Sequence, residues 1–306
     1  MNAQEKVQKL SQTSQPLSTS DALPEGFVYR LDLSRAATPR LLRKRAVHRW
    51  FAFPHSYSPE LVEAILDAWA LPPGSALLDP FVGAGTTLRV AHEKGYSALG
   101  TDLSPLAILV SNVKVTAYDR KQIEAALSDL QRRWERREKQ GEDHPLWVAS
   151  ERLQRAFTSS ELAALAALRE DILRLREKKV RDFFLVALLA ILSDFSRAVA
   201  DGGWFRWVEH PDQSESIAPR LWEQVRSMLE DLDVQEQPGD TGQGSWEAQL
   251  LDARLLDTLR PRSFDGLITS PPYANRHDYS RVFQIELLTL GKSEDCLLYT
   301  SPSPRD

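Results

Sequence analysis

The 306-residue chain contains a single cysteine, Cys296. One cysteine excludes an intrachain disulfide and a zinc cluster built on cysteines. The chain also lacks a long apolar segment, since its longest apolar run, from Phe183 to Leu192, has ten residues. That length suits a buried helix and is too short to span a membrane. The sequence therefore predicts neither a disulfide-bonded nor a membrane-spanning protein.

The sequence has no marked excess of charge of either sign. Its 38 Lys and Arg residues are balanced by 43 Asp and Glu residues, so composition alone does not indicate a nucleic-acid partner, although a local basic patch could bind one. Residues 1–22 are polar and lack the apolar core of a secretory signal. His48, His55 and His92 show no metal-ligand spacing. We expect a soluble cytoplasmic protein that binds no metal.

Strand and helix patterns alternate in the first part of the chain. Apolar segments at 76–78 and 97–101, each followed by an aspartate and then a helical pattern, predict parallel strands, and two more strands are predicted at 248–251 and 264–269. This alternation predicts an α/β fold with helices on the faces of a sheet. The predicted divisions are a disordered lead-in (1–38), a first half of the sheet domain (39–118), a helical insertion (119–245), a second half (246–293) and a tail (294–306).

The insertion and the tail depart from the α/β pattern. Residues 119–236 contain several helical patterns and no convincing strand, which predicts an all-helical insertion. Its Trp204-Phe205-Arg206-Trp207 segment could contact nucleic acid or fill the insertion's core. Residues 294–306 resemble translated sequencing-adaptor sequence, so we interpret this tail, with Cys296, as non-native and the sheet as truncated.

A glycine loop follows the first predicted strand. The strand ends at Asp79, and Gly83 and Gly85 precede a predicted helix. Glycines permit tight turning, and free amide groups at a helix N-terminus favour an anionic or carboxylate-bearing ligand. Asp102, at the end of the next strand, is placed to accept hydrogen bonds from two ribose hydroxyls. A dinucleotide site prefers glycine where this chain has Leu88, which favours another nucleoside-type cofactor; the alternative is a tight turn without a ligand.

A second loop, Ser270-Pro271-Pro272-Tyr273, follows the fourth predicted strand. An exocyclic amine on a nucleobase is a poor nucleophile because its lone pair is delocalised into the ring. The Ser270 hydroxyl and the Pro271 carbonyl offer acceptors for its two N–H groups, and the double proline stiffens the loop. Tyr273 offers a flat face on which an extruded base could stack. The alternative is an ordinary proline turn after a strand.

The first loop resembles a known motif. Asp79-Pro80-Phe81-Val82-Gly83-Ala84-Gly85-Thr86-Thr87 is similar to the first motif of class I S-adenosylmethionine-dependent DNA amino-methyltransferases. The resemblance implies a Rossmann-like methyltransferase sheet with S-adenosylmethionine as its cofactor. It places Gly83 to Gly85 along the methionine part, Asp102 at the ribose and Asp252, after the third strand, at the adenine amino group.

Phe53 and Pro54 resemble the extra N-terminal cofactor motif of the same family, and the alternative for them is a hydrophobic staple on the first helix. The full set of candidate cofactor residues is Phe53, Pro54, Asp79, Pro80, Phe81, Gly83, Gly85, Thr86, Thr87, Asp102 and Asp252.

The second loop resembles the catalytic motif of this family, in which serine at the first position favours the cytosine amine. The resemblance implies methyl transfer to the exocyclic amine of a flipped base in double-stranded DNA, with cytosine N4 favoured over adenine N6. Ser270, Pro271, Pro272 and Tyr273 would be catalytic, and a cognate restriction endonuclease is a candidate partner. Two alternatives are an RNA base amino-methyltransferase and a cofactor-binding subunit without activity.

Overall fold

A computed structural model describes residues 33–34, 36–140, 150–201, 204–209, 216–234, 244–259, 263–272 and 282–292. Most of the predicted lead-in and the whole tail from residue 294, with Cys296, lie outside the described residues.

The strands are β1 (Ala76–Asp79), β2 (Ser97–Asp102), β3 (Ala198–Asp201), β4 (Trp204–Trp207), β5 (Trp246–Leu250) and β6 (Gly266–Leu267). The α-helices are α1 (Pro59–Trp69), α2 (Thr86–Glu93), α3 (Pro105–Val115), α4 (Arg120–Gln140), α5 (Glu151–Ala156), α6 (Ser159–Leu173), α7 (Lys178–Ala190), α8 (Leu192–Phe195), α9 (Ile217–Val234) and α10 (Gln284–Thr289). Short 3-10 helices cover Pro39–Lys44, His48–Trp50 and Ala253–Thr258.

Four of the strands form a parallel sheet in the order β5-β2-β1-β6. The chain runs outward from β1 through β2 to β5 and then returns to β6 on the other side of β1. In open parallel sheets, ligands bind outside the carboxyl ends of the strands, at the point where the strand order reverses. Here that point lies between β1 and β6. The predicted α/β, Rossmann-like class is confirmed, and the carboxyl ends of all four strands share one edge.

Besides its helices, the described part of the insertion contains a two-stranded antiparallel hairpin, which corrects the prediction of an all-helical segment. The apolar pattern over 180–199 predicts one continuous helix, but the chain leaves helical geometry after Phe195, and β3 pairs with β4. The residues between these strands in the sequence are Gly202-Gly203, a pair typical of two-residue hairpin connections. Trp207 packs against the core of the insertion, with the Arg155 guanidinium 4.1 Å from its ring centre.

One apolar cluster lies within the sheet domain, and a larger one joins that domain to the insertion. In one, Leu66 of α1 and Leu88 of α2 pack with Leu77 of β1. In the larger one, the insertion helices pack on α3, where Leu106 and Val110 join the aromatic and aliphatic residues of α7. The insertion is therefore packed against the same helix that supports the sheet edge, and its core is continuous with that helix.

Candidate active site

The glycine loop is a tight turn at the carboxyl end of β1. The Gly85 N–H donates to the Val82 carbonyl over 2.8 Å, and both Gly83 (φ 48°) and Gly85 (φ 76°) adopt the left-handed conformation that favours glycine. Gly85 is the N-cap residue immediately before α2. A Cβ atom there would lie 2.9 Å from Ser111 Cα, so the loop touches the backbone of α3. Glycine is required at this position by both conformation and space.

Helix α3 supports the loop with side-chain hydrogen bonds. The Ser111 hydroxyl donates to the Gly83 carbonyl over 3.1 Å. Asn112 exchanges two hydrogen bonds with the backbone of Ala248 in β5, of 2.9 and 2.8 Å. These contacts fix α3 to β5 on one side and to the loop on the other. Neither Ser111 nor Asn112 was predicted, because a serine or an asparagine inside an apolar helix does not by itself indicate which backbone group it will bind.

Asp102 lies beside the glycine loop, and its predicted contact with ribose hydroxyls stays a prediction. One carboxylate oxygen accepts the Gly83 N–H over 3.1 Å, and the other accepts the Ser104 N–H over 2.8 Å. Burial raises the pKa of Asp102, and the backbone hydrogen bonds partly offset that rise. An ionised carboxylate has about four acceptor positions, so these two bonds leave positions for further donors. Asp102 thus shapes the loop and can also accept hydrogen bonds from the hydroxyls of a ligand.

Asp79, at the end of β1, connects the glycine loop to the segment before α1. It is fully buried, and it accepts hydrogen bonds from the Tyr57 hydroxyl (2.9 Å) and the Phe81 N–H (3.2 Å). Burial raises the pKa of Asp79, while the bonds from Thr87, Tyr57 and Phe81 oppose the rise. Tyr57 also bonds to the Thr87 hydroxyl, which links the segment before α1 to the start of α2. Direct contact of Asp79 with a cofactor stays a prediction, and Tyr57 is a supporting residue that the sequence did not reveal.

An aromatic wall stands against the loop. Its rings are Phe51, Phe53 and Phe283, and the centres of the Phe53 and Phe283 rings are 4.3 Å apart. A methyl group at Gly83 would lie 3.7 Å from Phe53 Cδ2, an ordinary packing distance. Phe53 therefore packs beside the glycine loop, whereas Pro54 is exposed, and contact of either residue with a cofactor stays a prediction.

A buried lysine joins this wall to the loop. Lys114 of α3 is 1% exposed, and its ammonium donates to the Phe51 carbonyl (2.7 Å) and to the Ala84 carbonyl (2.9 Å). Burial and the neighbouring charge of Arg89 lower the pKa of Lys114 to about 7. Burying a cation is unfavourable unless hydrogen bonds compensate it, so these two bonds indicate that the side chain holds the two carbonyls in place.

The second predicted loop begins at the same edge of the sheet. The Ile268 N–H donates to the Leu78 carbonyl over 3.1 Å, which carries the chain from β6 to Ser270 at the carboxyl end of β1. Ser270, with Thr269 and Tyr57, lines a cavity of about 170 Å³. Pro271 and Pro272 are exposed, while Tyr273 lies outside the described residues. The structure thus places the start of this loop next to the residues that support the glycine loop.

Asp252 lies after β5, at the same edge as Asp102. The Leu251 N–H donates to the backbone carbonyl of Asp102 over 3.1 Å, which places Asp252 one residue from that contact. The Asp252 carboxylate binds the Arg254 guanidinium, with a shortest distance of 2.6 Å, and this bond lowers the pKa of Asp252. A contact between Asp252 and an adenine stays a prediction. It requires the carboxylate either to bind Arg254 and the adenine at the same time or to release Arg254.

The described part of the chain contains no group of three or more His, Cys, Asp or Glu residues that could hold a metal ion. None of the described helices is long and apolar enough to cross a membrane.

The fold and the site together define a class of protein. A parallel sheet with a glycine loop after its first strand and an acid after the second is a Rossmann-like domain suited to a nucleoside-type cofactor. Comparison with known proteins narrows the class. Residues 4–114, which include the glycine loop and Asp102, match the family model described as DNA methylase.

Several curated relatives extend beyond that segment. The Type II methyltransferase M.BsoBI of Geobacillus stearothermophilus is 23% identical over 292 residues, covering 82% of this chain and 54% of that protein. The Type II methyltransferase M.AvaI of Nostoc sp. is 25% identical over 298 residues, covering 89% of this chain and 61% of that protein. A shorter match, to M.MjaII of Methanocaldococcus jannaschii, is 32% identical over 105 residues, or 34% of this chain and 20% of that protein. No solved structure matches the chain.

The chain is thus similar to DNA methylases over residues 4–114 and to Type II methyltransferases over most of its length, which supports the family resemblance seen in its sequence. It spans between half and two thirds of the length of M.BsoBI and M.AvaI.

Proposed function

We propose that the protein transfers a methyl group from S-adenosylmethionine to the exocyclic amine of a flipped base in double-stranded DNA, with cytosine N4 favoured over adenine N6. The observation that carries the proposal is that the glycine loop, Asp102 and the start of the Ser270 loop share the edge where the strand order reverses. The relatives named Type II methyltransferase support the same reaction and support a cognate restriction endonuclease as partner.

The described residues fit the proposed cofactor. Gly83 carries no side chain where the Phe53 ring approaches the loop, and Gly85 lets the loop lie directly against α3. Asp102 retains acceptor positions for ribose hydroxyls. Asp252, Pro80, Phe81, Thr86 and Thr87 remain proposed contacts or supports. When bound, S-adenosylmethionine would supply an electrophilic methyl group.

The Ser270 loop would prepare the amine that accepts this methyl group. The Ser270 hydroxyl and the Pro271 carbonyl would each accept one N–H of the base, which directs the nitrogen lone pair away from the ring. Pro272 would stiffen the loop, and Tyr273 would stack on the extruded base. Holding the nucleophile in line with the methyl group would account for much of the rate.

A methyl-transfer assay tests the proposal. The protein is incubated with methyl-labelled S-adenosylmethionine and either double-stranded DNA or RNA, and the labelled nucleoside is then identified after digestion. We expect label in N4-methyl-2′-deoxycytidine from DNA, and we expect Ser270→Ala to abolish it. Label in deoxyadenosine from DNA would overturn the choice of base, label only in RNA would overturn the substrate, and no transfer despite cofactor binding would favour a non-catalytic subunit.

A further inference from the structure

A single carboxylate of the insertion binds the segment that leads to the aromatic wall. Asp231 lies in α9 and is 2% exposed. Its two oxygens accept hydrogen bonds from the Val47 N–H (2.8 Å), the Trp50 indole N–H (3.0 Å) and the Arg49 guanidinium (3.0 and 2.5 Å). Four donors therefore meet one side chain that is more than 180 residues away in the sequence. The insertion is connected to this segment by directed bonds as well as by packing.

The segment that Asp231 binds has an unfavourable backbone conformation. Val47 has φ 63° and ψ −44°, and a β-branched residue in the positive-φ region is strained. Such strain persists only where the surroundings impose it. The bond from the Val47 N–H to Asp231 supplies such a constraint. The Trp50 ring adds a second one, since it packs edge-on against Phe183 of α7 with ring centres 5.4 Å apart.

The same segment continues directly to the glycine loop. One residue after Trp50, the Phe51 carbonyl accepts a hydrogen bond from Lys114, which also donates to the Ala84 carbonyl between the two loop glycines. Two residues later, Phe53 packs beside Gly83. The path from the insertion to the loop therefore consists of Asp231, the Val47–Trp50 turn, the Phe51 carbonyl and Lys114.

We propose that Asp231 is a positioning residue through which the insertion sets the shape of the glycine loop. The expected effect on cofactor binding rests on the proposed function. The coupling of the insertion to the loop rests on the hydrogen bonds described above. A carboxylate suits this position because all four groups that contact it donate hydrogen bonds, and an ionised carboxylate only accepts them. An asparagine at this position would turn an N–H₂ group toward the donors of Arg49 or Trp50.

The test compares Asp231→Asn with Asp194→Asn in the full chain. Asp194, in α8, binds the Arg220 guanidinium over 2.9 Å, so it is a second carboxylate of the insertion whose arginine partner also belongs to the insertion. We expect Asp231→Asn to speed amide hydrogen exchange about tenfold in peptides covering residues 47–53 and 80–88, and to weaken S-adenosylmethionine binding by about tenfold in calorimetry. Asp194→Asn should change neither, even if it lowers the unfolding temperature.

The two readouts separate this inference from the proposed function. Faster exchange at 80–88 supports the coupling, even if the wild-type protein binds no S-adenosylmethionine, a result that would refute the proposed function alone. Unchanged exchange at 80–88 and unchanged affinity in a folded Asp231→Asn variant would overturn the inference. If that variant does not fold, Trp50→Phe removes one of the four donors, and unchanged exchange at 80–88 in Trp50→Phe would overturn the inference equally.

Discussion

Replacing Gly85 by alanine places a methyl group where α3 leaves no room for it. The Cβ atom would lie 2.8 Å from Ser111 Oγ and 2.9 Å from Ser111 Cα, at a residue with φ 76°. An L-residue in the left-handed region costs about 1–2 kcal/mol, and overpacking typically adds about 1–3 kcal/mol. We therefore expect Gly85→Ala to lower the free energy of unfolding by roughly 2–5 kcal/mol. Because the loop must move to relieve the contact, affinity for S-adenosylmethionine should fall as well.

Gly95 provides a matched control. It also has φ 76°, but nothing lies within 4 Å of the position its Cβ would occupy. Gly95→Ala should therefore cost only the conformational part, about 1–2 kcal/mol, and should leave cofactor affinity unchanged. The difference between the two variants isolates the steric contact of the loop with α3.

Urea unfolding and calorimetric titration measure both effects. Adding Ser111→Ala to Gly85→Ala should restore only part of the lost stability, because the contact with the Ser111 backbone remains. Equal losses of stability for Gly85→Ala and Gly95→Ala would refute the steric argument. Wild-type cofactor affinity in a folded Gly85→Ala variant would refute the assignment of this loop to the cofactor.

Three further predictions concern the supports of the site. Burial lowers the pKa of Lys114 from 10.5 to about 7. Between these two pH values the unfolded chain binds a proton that the folded chain has released, so the free energy of unfolding should rise by up to about 1.4 kcal/mol per pH unit. Lys114→Met should remove that contribution from urea unfolding measured between pH 7 and 10, and an unchanged slope would contradict the lowered pKa of Lys114. Tyr57→Phe deprives the buried Asp79 of a donor and should lower the free energy of unfolding by about 1–3 kcal/mol; an unchanged unfolding midpoint would argue against this bond. Asp252→Asn should weaken S-adenosylmethionine binding while Arg254→Ala does not, and equal affinities for Asp252→Asn and wild type would rule out the adenine contact.

Local patterns were sufficient to predict the sheet edge. β1, the glycine loop, α2 and β2 follow one another within about thirty residues, and each has its own signal in composition or periodicity. Because parallel strands end at the same edge, the proximity of Asp102 to Gly83 followed from the order of the elements. The hairpin of the insertion was missed because its first strand continues the apolar pattern of α7 and α8.

The supports of the site were not predictable in the same way. Lys114 lies between Val113 and Val115, and nothing in that spacing shows that its ammonium reaches two backbone carbonyls. Asp231 resembles any acid of an amphipathic helix, yet it meets donors from a segment far away in the sequence. Such contacts depend on tertiary packing, so they become visible only in three dimensions.

Calorimetric titration of the chain with S-adenosylmethionine, alongside NAD, measures directly which cofactor the protein binds. We expect one S-adenosylmethionine site that S-adenosylhomocysteine competes for, preserved in Gly95→Ala and weakened in Gly85→Ala, with no comparable binding of NAD. Failure of the folded wild-type chain to bind S-adenosylmethionine, or equal binding of NAD, would contradict the assignment of the glycine loop to this cofactor.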